Sequence, residues 1–80
     1  MKENSNKSTP ILRNHVRQHR ARLDMTQEEL ADRVHVRRQT ILALEKERYV
    51  PSAILAFRIA AVLGMRVDGL FELADEEERL

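Results

Sequence analysis

Cysteine is absent from the 80 residues, which removes disulfides, thiolate nucleophiles and the usual zinc-finger ligands and fits a reducing compartment. Long apolar runs are missing as well. The longest, Ile59 to Met65 with Gly64 inside it, falls far short of the ~18 residues a membrane span needs. The first eight residues, Met1 to Ser8, are polar throughout and contain no signal-peptide core, so a cytoplasmic location is expected. Aromatic residues make up only 4%, against 42% hydrophobic and 34% charged, the balance of a globular chain. A chain of this length buries only about 60 to 65% of its unfolded surface, enough for one modest core and too little for a deep substrate cavity. Enzymes, membrane proteins and two-domain arrangements are thereby disfavoured.

Charge is plentiful and unevenly placed. Residues 1 to 66 hold 13 Lys and Arg against 7 Asp and Glu, a net of +6, whereas residues 67 to 80 hold one Arg against 6 acids, a net of −5. A basic body with an acidic end fits nucleic-acid binding, although scattered surface cations also serve solubility alone.

Local signals divide the chain into helices, and no convincing period-two strand appears, so the fold class is all-α with five helices. Residues 1–9 read as a flexible arm, 10–72 as the domain and 73–80 as an acidic tail. Thr9 and Pro10 resemble a cap followed by an N1 proline, starting a first helix whose inner face carries Leu12, Val16, His19 and Leu23. Thr26 and Glu29 have the spacing of a capping box and open a second helix with Leu30, Ala31 and Val34 inward. A third helix runs from about Arg38 to Lys46 with Ile41 and Leu44 inward, and it ends before Tyr49-Val50-Pro51, because a residue preceding proline avoids helical geometry. Ser52 caps a fourth helix ending at Gly64, and Asp68 caps a short fifth with Leu70 and Phe71 inward. In the fourth helix only Arg58 is charged between Ala53 and Leu63. Beyond its core face it carries a second apolar stripe, Ile54, Phe57 and Ala61, which either meets another chain or is covered by residues 73–80. A homodimer contact is the expectation, since twofold dimers dominate small oligomers.

The stretch Thr26-Gln-Glu-Glu-Leu-Ala-Asp-Arg-Val-His-Val-Arg-Arg-Gln-Thr-Ile-Leu-Ala-Leu-Glu-Lys46, together with Tyr49 to Ser52, Ile59 to Gly64 and Asp68 to Phe71, resembles the Xre-type helix-turn-helix regulators, the group containing the lambdoid phage repressors. The resemblance covers about residues 12 to 72. It implies a compact five-helix domain, with the helix-turn-helix at helices 2 and 3, acting as a transcriptional regulator that binds a palindromic double-stranded DNA site as a dimer. It also implies base contacts from Arg37, Arg38, Gln39, Leu42 and Ala43, phosphate contacts from Gln27, Lys46 and Arg48, and a structural ion pair between Arg20 and Glu45.

The residue chemistry agrees independently. With Ile41 and Leu44 inward, about 100° per residue turns Gln39, Leu42, Ala43 and Lys46 outward, with Arg38 on the flank. Arginine can bond bidentately to guanine, glutamine to adenine, and Leu or Ala can press on a thymine methyl. The chain departs from the resemblance at His35 and Glu47, where the family usually has glycine and the backbone often needs a positive φ. It departs again at Arg37 and Leu42, where serine is usual.

Competing readings are weaker. His15 and His19 stand one helical turn apart, as two metal ligands would, but no third ligand is evident and His19 lies on the apolar stripe. No metal, no cofactor, no catalytic residue and no separate small-molecule domain is expected. The rival function is a protein-interaction module, an antitoxin or accessory subunit, using the apolar helix 53–63 and the acidic tail.

Overall fold

The computed structural model describes residues 10–75 of the chain. In order, the elements are β1 (Pro10–Asn14), α1 (Val16–Arg22), α2 (Gln27–Val34), α3 (Arg38–Glu45), α4 (Ala53–Leu63), α5 (Val67–Leu70) and β2 (Phe71–Asp75). The five expected helices are present and the class is mainly α. The expectation that no strand exists is corrected: β1 and β2 form a two-stranded antiparallel sheet, with Pro10 opposite Asp75, Leu12 opposite Leu73 and Asn14 opposite Phe71.

This pairing also moves the start of the first helix from Pro10 to Val16. Proline fits the first residue of a strand because no ladder bond is asked of its nitrogen there. Thr9, the expected cap, lies outside the described residues; the N-cap is His15, which makes no side-chain cap bond, and the first amide is met instead by Asn14. Its Oδ1 accepts from the Val16 backbone N–H at 3.1 Å, while its Nδ2 donates to the Leu44 carbonyl at 2.8 Å. One side chain thus satisfies an orphan amide at the start of α1 and a carbonyl near the end of α3. Residues 73–75, expected in an acidic tail, are the end of β2. The arm at 1–9 and the remainder of the tail at 76–80 lie outside the described residues.

The second and fourth helices start as their sequences predict. Thr26 accepts from the Glu29 amide at 3.0 Å, and the Glu29 carboxylate accepts from the Thr26 amide at 2.8 Å. That backbone amide, foremost, holds the Glu29 carboxyl below its ordinary range. Ser52 accepts from the Leu55 amide at 3.1 Å. The fifth helix differs: its cap is Arg66, and Asp68 sits in the first turn, where the Arg66 guanidinium bonds it at 3.1 Å and depresses its pKa. The Arg66 side chain is the carboxylate's main partner, with the Asp68 backbone amide a lesser one, and the cap position is left to Arg66.

Helices α1 to α4 share one way of ending. Asp24, His35, Glu47 and Gly64 all have φ between 58° and 69°, and each is followed by a residue whose amide reaches back five positions: Met25 to Arg20, Val36 to Ala31, Arg48 to Ala43 and Met65 to Ala60. This is the Schellman arrangement, normally built on glycine. His35, between α2 and α3, and Glu47, after α3, keep the left-handed turn without having glycine to make it easy.

The core gathers one face from each helix. Leu30, Val34, Ile41, Leu44, Ile59 and Leu70 are fully buried, and Ala31 is 1% exposed where α2 meets α3. Val16 is buried as expected, but Leu23 is 42% exposed, since α1 stops before it and Met25 fills the inward position instead. Among the described residues, no helix is long and apolar enough to cross a membrane.

Candidate nucleic-acid interface

The helix-turn-helix consists of α2, the left-handed residue His35, the half-buried Val36 and α3. The N-cap of α3 is Arg37, in extended conformation (φ −81°, ψ 153°) and making no side-chain cap bond. Its side chain is thus left to the surface. Arg37, Arg38 and Gln39 are all exposed and lie together at the N-terminal end of α3, while Ile41 and Leu44 on the opposite side are 0% exposed. A helix pinned by one face and presenting two guanidiniums and an amide at its free end offers donors in the fork and amide geometries that read guanine and adenine edges.

The other site residues expected from the sequence are distributed as follows. Leu42 and Ala43 are half-buried, so each shows only part of its surface beside Gln39. Lys46 and Arg48 are exposed at the far end of α3. Gln27 is half-buried at the start of α2, and its Nε2 donates to Glu45 Oε1 at 3.1 Å. One amide hydrogen is thereby used and a second stays available.

Glu45 is the centre of a polar knot that fixes α3 against α1 and α2. Arg20 binds it bidentately, Nε to Oε2 at 2.8 Å and Nη2 to Oε1 at 3.2 Å, and Arg20 Nη1 also donates to the Met25 carbonyl at 2.7 Å. The side chains are only 14% and 5% exposed, so solvent screens the pair little. Asn14 adds a further tie from β1 to the last turn of α3. This residue was not among those singled out in the sequence. The available signal was an Asn two places before a buried valine, a common cap spacing.

The exposed stripe on α4 is as the sequence reading placed it: Ile54 is 67% and Phe57 64% exposed, and Ala61 is exposed beside them. Phe57, Ala60, Ala61, Met65 and Val67 border a largely apolar hollow of about 510 Å³.

Comparison with known proteins places this geometry. Residues 16–70 match the helix-turn-helix family. An uncharacterized HTH-type transcriptional regulator of Methanothermobacter thermautotrophicus is 54% identical over 66 residues, which are 81% of this chain and 96% of that protein. One from Archaeoglobus fulgidus is 52% identical over 66 residues, 82% of this chain and 94% of its own. Among solved structures, the hypothetical transcription factor NHTF from Neisseria superposes with a TM-score of 0.66 at 29% identity, covering 81% of this chain and 72% of that one. The transcriptional regulator VanUg shares the fold at a TM-score of 0.70 and 22% identity, over 94% of this chain and 100% of its own. The chain therefore belongs to the helix-turn-helix family and is an Xre-type transcriptional regulator with a helix-turn-helix DNA-binding domain.

Proposed function

We propose that the protein is a sequence-specific binder of double-stranded DNA that acts as a homodimer on a palindromic operator, with α3 in the major groove. The observation that carries this reading is the exposed triad Arg37, Arg38 and Gln39 at one end of a helix whose other face is fully buried. In this reading Arg37, Arg38, Gln39, Leu42 and Ala43 meet base edges, and Gln27, Lys46 and Arg48 grip phosphates on either side. The polar groups read, the half-buried Leu42 and Ala43 exclude water and touch thymine methyls, and the phosphate contacts set the register.

Ile54, Phe57 and Ala61 form the twofold contact between subunits. The support is the exposure of two large apolar side chains on one helix, beside an apolar hollow that a partner's side chains can fill. No catalysis, cofactor or metal has a part in this function.

The test is a comparison of three alanine variants on a cognate duplex and on random duplex. Arg38→Ala and Gln39→Ala lower affinity for the cognate site by roughly 1 to 3 kcal/mol each and leave random DNA almost unaffected. Lys46→Ala weakens both alike. Equal effects of all three on both duplexes refute the assigned roles, and no retention on duplex DNA even at low salt favours the protein-interaction module instead.

A further inference from the structure

Beside the reading face of α3 lies a recess of about 340 Å³ lined by Arg17, Arg20, Gln27, Leu42, Glu45 and Lys46. Three elements build it: α1 supplies the two arginines, the start of α2 the glutamine, and the last turn of α3 with its C-cap Lys46 the remainder. Its charges are not equivalent. Arg20 is committed to Glu45 and to the Met25 carbonyl, and both oxygens of Glu45 are occupied by Arg20 and Gln27. The negative member is thus largely neutralised from within. Arg17 and Lys46, by contrast, are exposed and line the same recess, and no carboxylate among the described residues pairs with either. Counting three cations against one carboxylate, the recess carries a net charge of +2. Leu42 in the wall supplies no competing acceptor.

We propose that this recess seats one phosphate of the DNA strand flanking the groove, held between Arg17 and Lys46, which makes Arg17 a DNA-anchoring residue on α1. The inference rests on the DNA-binding reading above and extends the contact surface beyond the helix-turn-helix to the first helix. A guanidinium offers a phosphate two parallel N–H donors, and the neighbouring second hydrogen of the Gln27 amide adds a third. Such a clamp on α1, α2 and α3 together fixes how deeply α3 enters the groove. It carries no base information of its own.

Binding of the wild-type dimer, Arg17→Ala, Arg17→Lys and Arg58→Ala is measured against salt on the selected operator. The same series is run on operators carrying an uncharged methylphosphonate at one backbone position at a time. Arg17→Ala lowers affinity about tenfold, reduces the salt slope by about 0.9 for each bound subunit and leaves the thermal melt unchanged. Arg17→Lys preserves the slope, and Arg58→Ala, on α4 away from the recess, matches wild type. At one methylphosphonate position per half-site the wild type loses clearly more affinity than Arg17→Ala, which keeps only the Lys46 and Gln27 contacts there. Wild-type affinity and slope in Arg17→Ala, or equal sensitivity of both proteins at every position, overturns the clamp while leaving DNA binding intact. Absence of wild-type binding to any duplex removes the clamp and the functional reading together.

Discussion

Glu45→Ala is expected to cost about 3 kcal/mol of folding stability. A domain of 80 residues is stable by only about 4 to 12 kcal/mol, so this one substitution takes a large part of the total. The reason lies in what remains. With Glu45 gone, the Arg20 side chain, 14% exposed, stays largely covered and loses two of its three hydrogen bonds. An unpaired buried charge is costlier than the intact pair is favourable, which is why the loss exceeds that of a surface salt bridge, about 0 to 1 kcal/mol. Arg20→Ala acts from the other side, stranding a carboxylate that is 5% exposed with Gln27 as its one remaining side-chain donor. Replacing both with apolar residues, Arg20→Met with Glu45→Leu, recovers most of the loss. Urea unfolding of the two singles and the double gives the coupling directly; a loss under about 1 kcal/mol for either single variant shows that water screens the pair. The knot also positions α3, so the singles weaken DNA binding beyond their effect on the folded fraction.

The largest effect is expected from salt. If the dimer neutralises about eight phosphates, log affinity falls with log salt at a slope near −7, so raising salt from about 50 to 200 mM weakens the operator complex roughly 10⁴-fold. Lys46, Arg48 and Arg17, repeated by the twofold axis, are the candidates for six of the cations, and Gln27 adds an uncharged donor that leaves the slope unchanged. The basic body of the chain, +6 over residues 1 to 66, supplies the field that draws the duplex in, while the acidic end at residues 67 to 80 opposes it. Fluorescence anisotropy on a labelled duplex across that range reads the slope. A value near zero means the interface is not electrostatic and rules out phosphate contacts as the main source of affinity.

How much of this was legible beforehand depended on range. The capping box at Thr26 and Glu29, the Ser52 cap and the Gly64 stop act within a few residues, and each appears in the structure as read. Ile41 and Leu44 fixed the inner face of α3 by periodicity alone, and with it the outward placement of Gln39 and Lys46. The sheet was not visible in this way. Pro10 to Asn14 become a strand because Phe71 to Asp75, about sixty residues away, meet their backbone groups. Neither segment alternates over enough residues to announce itself, and Thr9 with Pro10 imitates a helix start locally. Asp68 likewise has the right type and place for a cap but is taken by Arg66. Arg17 looks in the sequence like any solvated arginine on a helix; only the fold brings it into one recess with Lys46. The left-handed turns at His35 and Glu47 show the converse. The fold keeps a backbone shape that the residue type disfavours, because the Schellman bonds from Val36 and Arg48 hold it in place.

The reading of α3 as the specificity element meets its most direct test in selection of bound oligonucleotides from a random duplex pool, run in parallel with wild type and Gln39→Ala. The expected wild-type product is a twofold-symmetric site whose half-sites lie about one DNA turn, ~34 Å, apart, with the variant losing preference at one base pair in each half. A wild-type pool that converges on no shared sequence, or a variant pool that converges on the same site unchanged, contradicts it.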